Sequence, residues 1–124
     1  MNNKTEMIRN LNNKFRRSFI GGKIMLSLGI RTKPAEEVAE ILERVRTFNN
    51  FTPDNDPYFE SDMGSFDCNG DKIFFKIDYY SPDMRYASED PADPNKTVRI
   101  LSIFRACEYW RHENLELCLK KRIV

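Results

Sequence analysis

The chain has 124 residues, 40% hydrophobic and 31% charged, with a formal net charge of +1. That length suits one domain with a real core, and the composition excludes a wholly disordered chain. No run approaches the roughly 20 apolar residues that span a bilayer, and the first residues, Met1 to Met7, lack a secretory leader, so a cytoplasmic location is expected.

Three cysteines, Cys68, Cys107 and Cys118, are odd in number, widely spaced and form no CxxC pair. Reduced thiols are therefore expected rather than a disulfide framework or a zinc site. The charge is unevenly spread: residues 1–33 carry +7, residues 34–95 carry −10 and residues 96–124 carry +4. Either the asymmetry marks a binding surface, or the ends fold back beside the acidic middle and cancel it.

The spacing of Met7, Ile8, Leu11 and Phe15 predicts a helix over 4–17, with Lys14, Arg16 and Arg17 near its C-terminal end, where cations suit the helix dipole. Gly21-Gly22 breaks it. The alternation of Ile24, Leu26, Leu28 and Ile30 predicts a strand over 23–30. Pro34 with Glu36 and Glu37 opens a second helix over 35–48, whose stripe of Val38, Ile41, Leu42, Val45 and Phe48 is core material.

Asn69-Gly70 supplies a two-residue turn, and closing it there sets Cys68 opposite Asp71 and Phe66 opposite Ile73. Strands over 64–68 and 71–80 follow, with Phe66, Ile73, Phe75, Ile77 and Tyr79 on one face. Residues 81–93 form a Pro-, Ser- and Asp-rich loop. Asp93-Pro94 looks like a helix N-cap followed by proline, so residues 94–110 are expected as a helix with Ile100, Leu101, Ile103, Phe104 and Cys107 on one side. A strand over 98–105 is the competing reading. Residues 111–124 form a charged tail with Leu115, Leu117 and Leu119 and no assigned structure. The expected fold is α+β: a three-stranded antiparallel sheet covered by three helices.

The best candidates for chemistry are Asp54 and Asp56 in the acidic segment Phe51-Thr-Pro-Asp-Asn-Asp-Pro-Tyr58, with Glu60 and Asp62 nearby. Carboxylates two residues apart on a loop can chelate a hard cation or serve a metal-dependent hydrolase. Asp and Asn beside Pro equally satisfy backbone donors in tight turns, and that is the preferred reading. Phe51, Pro53, Pro57 and Tyr58 are expected to fix the shape of this segment. Asp83, Glu89, Asp90 and Asp93 make a second acidic run with the same ambiguity.

This anionic middle repels phosphate backbones, so its expected partner is a basic protein surface, such as a groove that normally holds nucleic acid. Lys14, Arg16, Arg17 and Lys23 are the candidates for the alternative, direct nucleic-acid binding. Nucleophilic catalysis has little support: His112 is the only histidine, and there is no GxSxG, phosphate-cradling loop or HExxH. No cofactor is indicated.

Several segments occur in an order that resembles a known family. They are Gly21-Gly-Lys-Ile-Met-Leu-Ser-Leu-Gly-Ile30, Phe51 to Tyr58, Ile73-Phe-Phe-Lys-Ile-Asp-Tyr-Tyr80, Asp90-Pro-Ala-Asp-Pro94 and Glu108-Tyr109. Across about residues 18–110 the chain resembles a bacterial family catalogued as domain of unknown function 3768. The resemblance implies a small protein of plasmids and phage-related elements, with no catalytic residues to carry over. Such a setting favours a protein that binds and modulates a host factor, including an anti-defence inhibitor.

Overall fold

A computed structural model describes residues 3–111, and the side chains among them as far as Glu108. Helix α1 spans Asn3–Ser18, and strand β1 spans Lys23–Leu26. A single helical turn, α2, covers Leu28–Arg31, and α3 covers Ala35–Thr47. Strands β2 (Met63–Cys68) and β3 (Asp71–Tyr80) form the hairpin. A 3₁₀ turn at Pro94–Lys96 then leads into β4 (Val98–Arg105), and a second 3₁₀ segment spans Ala106–Arg111. The sheet has the order β1-β4-β3-β2.

The hairpin follows its turn chemistry. Asn69 and Gly70 take φ of 51° and 80°, as a two-residue turn requires, and the register pairs Phe66 with Ile73 and Cys68 with Asp71. One face of β3, carrying Ile73, Phe75 and Ile77, joins Phe15, Ile30, Ile41, Val45, Leu101 and Ile103 in the core. Gly64 lets α3 come this close. A Cβ there would stand 2.7 Å from the Phe48 ring, which packs edge-on against Phe75.

Several expectations are corrected. Residues 94–110 do not form a helix. Asp93 does cap the turn at Pro94, accepting from Asn95 N at 2.9 Å, but the chain then enters β4, which lies between β1 and β3. A central strand buried on both faces reads as a continuous apolar run, in which helical and strand periodicities look alike. The sheet therefore has four strands, and it is mixed rather than antiparallel, because β1 runs parallel to β4.

The strand expected over 23–30 also stops at Leu26. Ser27 caps α2, and its hydroxyl donates to Glu108 Oε1 at 2.7 Å, while Gly29 N reaches the same carboxylate. Leu28 is consequently exposed, while Ile30 still reaches the core. Cys107 is exposed rather than packed on an apolar helix side. The tail expectation for 112–124 lies outside the described residues.

The charge asymmetry is cancelled in part by contacts between the basic ends and the acidic middle. Asp71 takes ion pairs from Lys33 at 3.0 Å and Arg105 at 2.6 Å, and Lys4 approaches Asp90 at 3.8 Å. Partial burial alone would raise the pKa of Asp71, but the hydrogen bonds from Lys33 and Arg105 outweigh it and hold the carboxyl below its ordinary range. Among the described residues, no helix is long and apolar enough to cross a membrane.

Candidate functional site

Residues 51–62 link α3 to β2 and are held at both ends. Phe51 packs edge-on against Phe48 and Phe75, with ring centroids 5.0 and 6.4 Å away. Thr52 and Asn55 then close a turn: Thr52 N donates to Asn55 Oδ1 at 2.8 Å, and Asp56 N donates to Thr52 O at 2.7 Å.

Asp56 is the clamp. It is 5% exposed, and its carboxylate accepts from Glu60 N at 3.0 Å and Ser61 N at 3.1 Å. Those bonds secure a costly backbone, because Phe59 and Ser61 both have positive φ, 60° and 54°. The consequence is an outward display. Tyr58 is 75% exposed and Phe59 46% exposed, so Tyr58 faces solvent, although the sequence suggested that it helps fix the shape of the loop.

Beneath the loop runs a polar chain. Asn12, fully buried on α1, donates to Glu60 O at 3.0 Å and to Tyr79 OH at 2.8 Å. Tyr79 OH donates in turn to Glu60 Oε1 at 2.7 Å. Arg99 Nε donates to Asn12 Oδ1 at 2.8 Å, and Arg99 Nη2 donates to Pro91 O at 2.5 Å. The Arg99 guanidinium also lies 5.2 Å from the Tyr79 ring centroid. Burial first, and then its bond to Glu60, hold the Tyr79 phenol well above its ordinary range. One network therefore ties α1, both acidic loops and the sheet together.

The sequence candidates divide sharply. Asp54 is exposed, while Asp56 and Glu60 are committed to backbone donors and to Tyr79. Of the second run, Asp83 accepts from Ser81 Oγ and Arg85 N, Asp90 from Ala92 N, and Asp93 from Asn95 N, so each builds a turn. Glu89 is exposed, 3.6 Å from Lys96. Asp83 and Glu89 border an open groove of about 520 Å³ with Ser81, Tyr86 and Lys96. Among the described residues, no three His, Cys, Asp or Glu side chains are grouped to hold a metal ion.

The basic set loses a member. Arg16 is fully buried, while Lys14, Arg17 and Lys23 are exposed. Sequence reasoning also missed Asn12 and Arg99. A signal was present for α1: Ile8, Asn12 and Arg16 recur at four-residue spacing, so they share one helix face.

Among the described residues, Asp62 is a carboxyl whose charge changes near neutral pH. Burial first, and then the charge of Glu60, push its carboxyl up to about 6. A raised value means that the folded chain holds this proton more tightly than the unfolded chain. Its stabilising contribution is complete below about pH 4 and is lost as pH rises through about 6. Asp62→Asn is therefore expected to stabilise the protein at pH 7.5 by about 1 kcal/mol, discounted for remaining solvent access, and by little at pH 4. Urea unfolding at the two pH values checks this; an equal gain at both contradicts it.

One family model matches the chain, described as a protein of unknown function (DUF3768), over residues 26–108. That is more than half of the sequence. The chain belongs to the DUF3768 family. No curated protein and no solved structure matches it. The DUF3768 match takes in the clamped loop, the hairpin, β4 and Glu108, whereas α1 precedes it. Asn12 and Arg16 thus brace the DUF3768 region from outside.

Proposed function

We propose that this DUF3768 protein is a non-catalytic interaction module, acting in the cytoplasm, whose clamped 51–62 loop docks on a basic protein surface. The observation that carries the reading is the exposure of Tyr58 and Phe59 on a backbone with two positive-φ residues, fixed by the buried Asp56 carboxylate. Strained, over-determined loops concentrate at binding sites, and rigid exposed aromatic side chains are common interface anchors. Asp54 beside them, with Asp83 and Glu89 on the second loop, adds exposed negative charge.

Such a face suits a partner surface that otherwise holds nucleic acid, and occupying that surface would inhibit the partner. The unpaired thiols of Cys68 and Cys107 agree with a reducing compartment. The commitment of Asp56 and Glu60 to internal hydrogen bonds weighs against a metal-dependent hydrolase at this loop, and the burial of Arg16 weakens the nucleic-acid alternative.

Affinity purification from the native host with the wild type and a Tyr58→Ala/Phe59→Ala variant tests the reading. The expected result is a specific partner that the wild type retains and the equally stable variant loses. Equal recovery by both, or no specific partner, contradicts it.

A further inference from the structure

A second groove runs along α1, between that helix and residues 92–99. Its more open part, about 340 Å³, has Met7 and Leu11 on one side and Ala92 and Pro94 on the other. Its more enclosed part, about 190 Å³, continues past Phe15 and Ile20 to Arg99 of β4. Both parts share Leu11, Lys14 and Pro94, so they form one groove. From Met7 to Phe15 it follows about 12 Å of helix. Among the described residues, none that lines it is acidic, and none comes from the 51–62 loop.

Two cations stand among these apolar walls. Lys14 is exposed, and its ammonium has no partner among the described residues. Arg99 is 3% exposed, yet only part of its guanidinium is used: Nε donates to Asn12 Oδ1 and Nη2 to Pro91 O. Nη1 has no hydrogen-bond partner among the described residues. It is not sealed in, because the one fully enclosed side-chain nitrogen or oxygen there without a partner is Arg16 Nε. The groove that Arg99 lines gives Nη1 its access to solvent. Burial lowers the Arg99 pKa despite the opposing influence of Tyr79 and Glu60, so a further anion beside the guanidinium would be favoured.

We propose that this groove binds a small amphiphilic carboxylate, a fatty-acid-like monoanion whose head meets Lys14 and Arg99 and whose chain lies over Leu11, Met7 and Pro94. The head would complete the Arg99 guanidinium through a charge-assisted hydrogen bond. The chain would cover Met7, which is 50% exposed, and the apolar wall beside it. The volume of the groove is in the range of small-ligand sites. A polyphosphate would leave the apolar walls unused, and a neutral lipid would leave both cations unpaired.

Titration of the full chain with octanoate, below its micelle-forming concentration and followed by methyl NMR, tests this. Saturable shifts are expected at Met7, Leu11 and Ile20. Octanol, which lacks the charge, and acetate, which lacks the chain, should each bind at least about 10-fold more weakly. Lys14→Glu reverses a charge at an exposed position and should weaken octanoate binding by about 10-fold. An absence of saturable shifts, equal binding by octanol or acetate, or unchanged affinity in Lys14→Glu would overturn the proposal. So would shifts at the same methyls from an apolar peptide with a free C-terminus but none from octanoate, which would make the occupant a protein.

Discussion

Arg16→Ala is expected to lower unfolding stability by about 3–4 kcal/mol, because it removes a buried hub and leaves its acceptors without donors. The guanidinium is fully buried, and its Nη1 donates to Val45 O at 3.0 Å and Arg46 O at 3.2 Å, the carbonyls of the last turn of α3. Its Nη2 donates to Asn13 Oδ1 at 2.8 Å, and its carbon lies 5.1 Å from the Phe51 ring centroid. Alanine would strand the end of α3, open a cavity between two helices and withdraw the cation on which Phe51 rests.

The burial has a cost. Desolvation first, and then the charge of Arg17, lower the Arg16 pKa to about 10, and Nε has no hydrogen-bond partner. Arg16→Met, which fills the space without importing a charge, is therefore expected to lose less than alanine. Arg16→Lys keeps the charge but cannot fork to two carbonyls, so it should fall below wild type as well. Urea denaturation of the three variants checks the order. An alanine variant as stable as the wild type would show that the guanidinium contributes nothing net.

Asp56→Ala is expected to cost about 2–3 kcal/mol and to release the loop. Two amides, the partly buried one of Glu60 and the buried one of Ser61, would lose their acceptor while Phe59 and Ser61 kept positive φ. Hydrogen exchange at both amides should accelerate by about 100-fold, and affinity for a partner that contacts Tyr58 should weaken with it. Asp56→Asn retains one acceptor oxygen and should fall between. Unchanged exchange in Asp56→Ala would mean that the loop holds its shape without the clamp.

Legibility in the sequence tracked how local each cause was. Asn69-Gly70 and the stripe of α3 act within a few residues, so the hairpin register and that helix could be read directly. The end of β1 could not, because Ser27 stops it through Glu108, which is distant in sequence. β4 reads as a helix because both its faces are buried, which erases the alternation that marks a strand. At the site, turn chemistry of Asp56 was readable from its neighbours. The outward turn of Tyr58 and Phe59 was not, because it depends on positive φ at a non-glycine residue. The burial of Arg16 likewise required knowing that α3 ends against α1.

We propose that the clamped loop meets a partner through its exposed aromatic residues. Replacing Tyr58 by a photoreactive phenylalanine analogue in the native host tests it most directly, with the analogue at exposed Glu43 on α3 as the control. A single discrete protein adduct is predicted from position 58 and none from position 43. Adducts from position 43 alone, or the same pattern from both, would contradict the account.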